Sequence, residues 1–152
     1  MNLPSDLIDL LAEFDAHGVE YLLVGGQALA LHGHPRFTKD ADLWLRDTPE
    51  NLDRTKAALR AFGAPPSTLA GLDAARGLDV VWMGAPPARI DLMMAVPDGD
   101  FDAAWPRREA RDVAGTPVNF VGRADLVRLK RASGRPQDLL DAERLESGAA
   151  DD

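Results

Sequence analysis

The sequence predicts an α/β chain of the α+β type, a small mixed sheet with helices packed on one side and acidic residues gathered at one end. Three observations carry this. Short apolar runs of strand length recur at 21–24, 40–45, 78–83 and 89–96. Amphipathic helix patterns precede, separate and follow them. The run 40–45 alternates with a period of two, so that Asp40 and Asp42 point to one face while Ala41, Leu43 and Leu45 point to the other. At 152 residues the chain is long enough for one domain burying roughly two-thirds of its unfolded surface. That domain is expected over 1–146, with 147–152 a disordered tail.

Taken in order, the chain opens with Leu7, Leu10, Leu11 and Phe14 at helical spacing. Ser5 is the expected N-cap and Gly18 the expected stop. The strand Tyr21–Val24 halts at Gly25-Gly26, and a short helix is expected over 27–32. A turn over 33–39 carries Arg36 and Lys39 into the acidic strand. Thr48 then reads as an N-cap with Pro49 at the first helical position, and the helix runs to Gly63. A Pro- and Gly-rich loop is expected next, followed by a strand pair over 78–83 and 89–96. The stretch 97–102 reads as a turn with a helix cap, and 103–121 as a short helix and a hairpin turning at Gly115-Thr116-Pro117. Gly134 separates two closing helices, the second begun by Pro136.

Composition narrows the function. The net charge of −8 argues against broad, sequence-independent nucleic-acid binding, so any such contact must be local. With no cysteine, disulfides and thiolate metal sites are excluded. The N-terminal stretch is interrupted by Asp6, Asp9 and Glu13 and lacks a basic leader, and no stretch approaches the ~18 apolar residues of a membrane span. A soluble, cytoplasmic protein without membrane association is the expectation.

Two carboxylates aimed at one spot raise each other's pKa and resist joint ionisation. A divalent cation is the usual compensation, and Mg2+ takes oxygen ligands while leaving positions open for water or phosphate. Gly25 and Gly26 sit one short helix earlier, where bare backbone N–H groups at a helix N-terminus can receive a phosphate. Arg36 and Lys39 lie close to where a triphosphate would rest, either as phosphate partners or as solvated loop cations. His32 and His34 invite zinc, yet the further His or Cys that zinc wants is missing nearby. Asp91, amid the run Arg89-Ile90-Asp91-Leu92-Met93-Met94, either pairs with Arg89 on its own strand face or joins Asp40 and Asp42 as a third carboxylate.

The order strand, Gly25-Gly26, helix, basic turn, Asp40-x-Asp42 resembles the nucleotidyltransferase superfamily, the DNA polymerase beta-like fold in its minimal form. A second point of match is Asp91, since such proteins place their third carboxylate on a later strand. The third is Lys130 followed by Arg135-Pro136-x-Asp138-Leu139-x-Asp141, similar to the last motif of small bacterial relatives of the AbiEii toxin type. The resemblance spans roughly 21–145. It implies Asp40, Asp42 and Asp91 as catalytic ligands of two Mg2+ ions, Gly25, Gly26, Arg36 and Lys39 as nucleotide-binding residues for ATP or another NTP, and Lys130 at the phosphates or the chemistry. Arg135, Asp138 and Asp141 would hold the closing helices against the site.

The implied activity is transfer of a nucleoside monophosphate from an NTP to an acceptor. The acceptor is either an RNA end gripped by the basic closing helices, in a toxin-like system with an antitoxin partner, or a small molecule of the antibiotic type. A catalytically idle relative that binds a nucleotide or a partner is the other alternative, favoured if Asp91 lies away from Asp40 and Asp42.

Overall fold

The computed structural model describes residues 3–34, 40–84 and 89–148. In chain order the elements are α1 (Ser5–Ala16), β1 (Tyr21–Val24), α2 (Gly25–Leu31), β2 (Asp40–Leu45), α3 (Pro49–Phe62), α4 (Pro66–Ala74), β3 (Val80–Met83), β4 (Arg89–Met93), α5 (Phe101–Ala104), β5 (Glu109–Val113), β6 (Thr116–Phe120), α6 (Arg123–Ser133) and α7 (Pro136–Ser147). The strands form one mixed sheet in the order β3-β4-β2-β1-β6-β5. β1 runs antiparallel to β2 and parallel to β6, and β2 runs parallel to β4. No helix among the described residues is long and apolar enough to cross a membrane.

Period two in β2 divides the sheet into two faces. Leu43 and Leu45 pair with Leu23 and Tyr21 on the face that receives Leu7, Leu10, Leu11 and Phe14 of α1, all of them buried. Phe14 meets Tyr21 edge to face at 5.4 Å. Burial raises the Tyr21 phenol to about 12, and its oxygen accepts the Asn119 N–H at 3.2 Å. Behind the sheet, buried Asn51 of α3 ties two strand ends together. Its Oδ1 accepts the Glu20 N–H at 2.8 Å while its Nδ2 donates to the carbonyls of Glu20 and Arg46. The strap fixes where β1 begins and β2 ends, and so fixes the height of Asp42 on the sheet.

The opposite face carries the acids and has its own covering. Trp44 packs against Phe101 of α5 at 5.2 Å, and α6 stands over Val24 and Met93 across a cleft. Helices therefore lie on both sides of the sheet rather than one. α6 is anchored at its start by a bidentate pair, Arg107 Nε and Nη2 donating to buried Asp125 at 2.9 and 2.7 Å. Its entry point is set by the Val121 N–H, which donates to the Leu23 carbonyl of β1 at 3.1 Å.

Thr48 caps α3 as expected, its Oγ1 accepting the Asn51 N–H at 3.1 Å, and Asp100 caps α5. Elsewhere the elements differ from expectation. The N-cap of α1 is Pro4, and Ser5 is already helical without a side-chain cap bond. The stretch expected as a Pro- and Gly-rich loop contains α4, begun by Pro66 with Leu72 buried beneath it. Gly71 is what lets α4 sit on β3, because a Cβ there would be only 3.0 Å from Val81 Cγ1. The hairpin turns at Ala114-Gly115, both at positive φ, so Thr116 and Pro117 belong to β6.

Candidate active site

A single register line crosses the sheet through Val24, Asp42, Asp91 and Trp82. In-register neighbours share a face, so the parallel pairing of β2 with β4 sets Asp91 directly beside Asp42. One step along, Asp40 stands beside Arg89. Asp40, Asp42 and Asp91 thus lie on one face within two adjacent strands. The two readings of Asp91 turn out to be compatible. Asp91 shares a hydrogen bond with Asp42 and also receives one from Arg89 Nε at 2.7 Å.

A hydrogen bond between two carboxyls needs a proton between them. Asp42 is accordingly raised to about 6, first by burial, then by the charge and hydrogen bond of Asp91 and by the charge of Asp40, with Lys130 acting in the opposite direction. Two carboxylates this close cannot both ionise at little cost without a cation. Hard, oxygen-only donors of this kind suit Mg2+. Among the described residues, no group of three His, Asp or Glu side chains is drawn tightly enough to enclose an ion as they stand, and Asp91 also receives Arg89.

On the β1 side of Asp42 the chain passes into α2 through Gly25. Its φ of +71° is left-handed, and a Cβ there would collide with Oδ2 of Asp42 and sit 3.2 Å from its Cγ. Glycine is therefore needed twice, for the turn and for the carboxylate beside it. The residue ahead of α2 is Val24, which has no side-chain acceptor to cap the first turn. The site residues Arg36 and Lys39 lie outside the described residues; Gly26 is the second residue of α2. His32 is accounted for structurally, a ring nitrogen bonding the Val121 carbonyl at 2.9 Å.

Facing the acids, Lys130 of α6 lines a cleft of about 220 Å³ with Val24, Gly25, Asp42, Ser133 and Asp138. Its side chain is only 12% exposed, and Nζ lies 3.2 Å from Asp138 and 3.4 Å from Asp141 of α7. Asp138 also accepts from Ser133 Oγ at 2.6 Å and from Arg135 Nε at 2.8 Å. Burial alone would raise the Asp138 carboxyl, but the Ser133 hydrogen bond, Lys130 and Arg135 outweigh it and hold it below its ordinary value. Ser133, which carries no signal in the sequence beyond its place before Gly134, completes this network. A larger groove of about 870 Å³ lies along another side of α6, where Arg123, Arg128 and Arg131 line it with Asp98 and Glu146. The exposed indole of Trp82, beside Asp91, carries no signal in the sequence, where it is one more residue of an apolar run.

Comparison with known proteins bears on this geometry. Residues 9–72 match the family model described as "Nucleotidyl transferase AbiEii toxin, Type IV TA system". No curated protein sequence matches the chain. Among solved structures, an antigenic nucleotidyltransferase-like protein from Paracoccidioides brasiliensis is similar over 96% of this chain and 77% of its own, at 18% identity and a TM-score of 0.56. ANT(2″)-Ia, in complex with adenylyl-2″-tobramycin, is similar over 93% and 91%, at 16% identity and a TM-score of 0.54. The lincosamide antibiotic adenylyltransferase LnuA, lincomycin-bound, is similar over 98% and 100%, at 15% identity and a TM-score of 0.54. Nearly the whole length thus shares the fold of nucleotidyltransferase-like and adenylyltransferase structures, and residues 9–72 resemble the AbiEii nucleotidyltransferase family.

Proposed function

We propose that the chain transfers a nucleoside monophosphate from an NTP to the hydroxyl of an RNA end, with Mg2+, in a toxin-antitoxin setting with an antitoxin protein as partner. The observation that carries the reading is the Asp42–Asp91 pair set between Gly25 and Lys130. Asp40, Asp42 and Asp91 would hold the metal, two ions being expected; when bound it would supply Lewis-acid stabilisation and a more acidic attacking hydroxyl.

The chain's own residues do the rest. The uncapped first turn of α2, beginning at Gly25 and Gly26, offers backbone N–H groups to the phosphates. Lys130 presents an ammonium from the opposite wall, held in place by Asp138 and Asp141 rather than left to swing in solvent. Arg36 and Lys39 are assigned to the same phosphates from the sequence. Arg89 keeps Asp91 turned along the sheet until that carboxylate is needed at the site. Most of the rate gain in such a site is positioning and electrostatics.

For the acceptor, the groove with Arg123, Arg128 and Arg131 supports RNA as a contact for the body of the strand rather than its reacting end, since it concentrates cations on one helix of an acidic chain. The family description, naming a toxin, supports the same setting. A small-molecule acceptor is the second reading, favoured by the likeness to ANT(2″)-Ia in complex with adenylyl-2″-tobramycin and to lincomycin-bound LnuA. The idle alternative loses support from Asp91 lying beside Asp42.

The test is transfer of labelled ATP, CTP, GTP and UTP, with Mg2+, to total tRNA and to a panel of small hydroxylated acceptors, against an Asp40→Ala/Asp42→Ala control. Label on RNA that the control lacks is the expected result. Label on a small molecule alone would establish the second reading. Absence of both transfer and Mg2+-dependent NTP binding would overturn both in favour of an idle relative.

A further inference from the structure

The register line through the acids continues past Asp91 to Trp82 on the edge strand β3, and Trp82 is 58% exposed. Trp44, the other tryptophan on this face of the sheet, is buried. The Arg89 guanidinium lies 5.1 Å from the centre of the Trp82 ring while its Nε–H holds Asp91. Indole, guanidinium and carboxylate are therefore one connected unit at the end of the acid row away from Gly25. Val80, also exposed, extends the apolar surface along the same strand face.

Direction follows from the chemistry, and this step rests on the nucleotidyl-transfer reading given above. In transfer from an NTP, the acceptor oxygen forms its bond to the α-phosphorus as the bond to pyrophosphate breaks. The attacking and leaving oxygens lie roughly in line. The hydroxyl proton passes to a carboxylate of the acid row, and the electron pair of the broken bond leaves with pyrophosphate. Phosphates held at Gly25 put the leaving group on the β1 side of Asp42. The attacking hydroxyl then enters from the other end of the row, where Trp82 stands.

We infer that Trp82 is the acceptor platform: the terminal nucleobase of a single-stranded RNA end stacks on its indole, Arg89 takes the adjoining phosphate, and the terminal hydroxyl is brought to Asp91. Arg89 gives its Nε–H to Asp91, and the other N–H groups of the guanidinium can meet a phosphodiester beside the stacked base. Base stacking on an aromatic side chain tolerates any sequence, so the platform reads an end rather than a code.

The test uses the full chain with Mg2+, an NTP and a short single-stranded RNA with a free 3′ hydroxyl. Trp82→Ala is expected to raise the KM for RNA about tenfold or more with the KM for NTP unchanged, and Trp82→Phe to restore most of the loss. Tryptophan emission should be quenched by the RNA in the wild type and much less so in Trp82→Phe, although labelled RNA still binds that variant. Three results would overturn the platform: equal RNA affinity in Trp82→Ala, quenching by NTP alone, or a cationic antibiotic occupying Trp82 where RNA does not. Failure of the transfer reading looks different. There, RNA would quench Trp82 with no nucleotide transferred to any acceptor and no Mg2+-dependent NTP binding.

Discussion

Asp42 carries the conflict on which the site depends. Its carboxyl is raised from 3.8 to about 6 in the fold, so the contribution it makes to stability is complete below about pH 4 and is lost as pH rises through 6. Without divalent ions the chain should therefore lose on the order of 2–3 kcal/mol between those limits. Asp42→Asn should flatten that slope in thermal melts, leave the protein more stable than wild type above pH 6, and abolish transfer. A slope that survives in Asp42→Asn would assign the titration to another group, and residual transfer would remove Asp42 from the chemistry. This much was legible in the sequence, because a period of two is enough to aim Asp40 and Asp42 together. That Asp91 binds Arg89 and Asp42 at once was not, since sequence spacing gives same-strand neighbours but not the register with β2.

Among the elements, α6 and α7 act as one part because Lys130 is buried between two carboxylates. Asp138 and Asp141 are 8% and 1% exposed, so removing Lys130 takes away the cation they share, although Asp138 keeps Ser133 and Arg135 and Asp141 keeps Gln137. Lys130→Ala should cost roughly 3 kcal/mol in denaturant unfolding as well as weakening NTP binding. Arg135→Ala should cost under about 1 kcal/mol, since Arg135 meets Asp138 from a largely exposed position. Equal losses from the two would mean that burial of the pair is not what matters. The closing motif showed these residues in the sequence but not their roles, which depend on two helices meeting. α4 was hidden for a different reason. Pro65-Pro66 and Gly71 read as loop residues, although Pro66 only opens the helix and Gly71 only lets it touch Val81.

On the scale of the whole molecule, the sheet order places β2 and β4 together, so residues 49 apart in sequence form one acid site. Folding brings these charges together, and ligands that compensate them should stabilise the entire fold. Mg2+ with a non-hydrolysable NTP analogue at about a hundred times its Kd should add about 2.7 kcal/mol, read as a rise in Tm. The rise should vanish in Asp91→Asn; an equal rise there would place the ligand elsewhere. The contact of Gly25 with Asp42 carries this coupling into genetics. Gly25→Ala puts a methyl group against the Asp42 carboxylate and would leave much of the chain insoluble. Suppressors selected for restored solubility should then fall at Asp42, as small residues, recovering a folded protein that has given up its chemistry; the strained backbone at position 25 would keep the rescue partial.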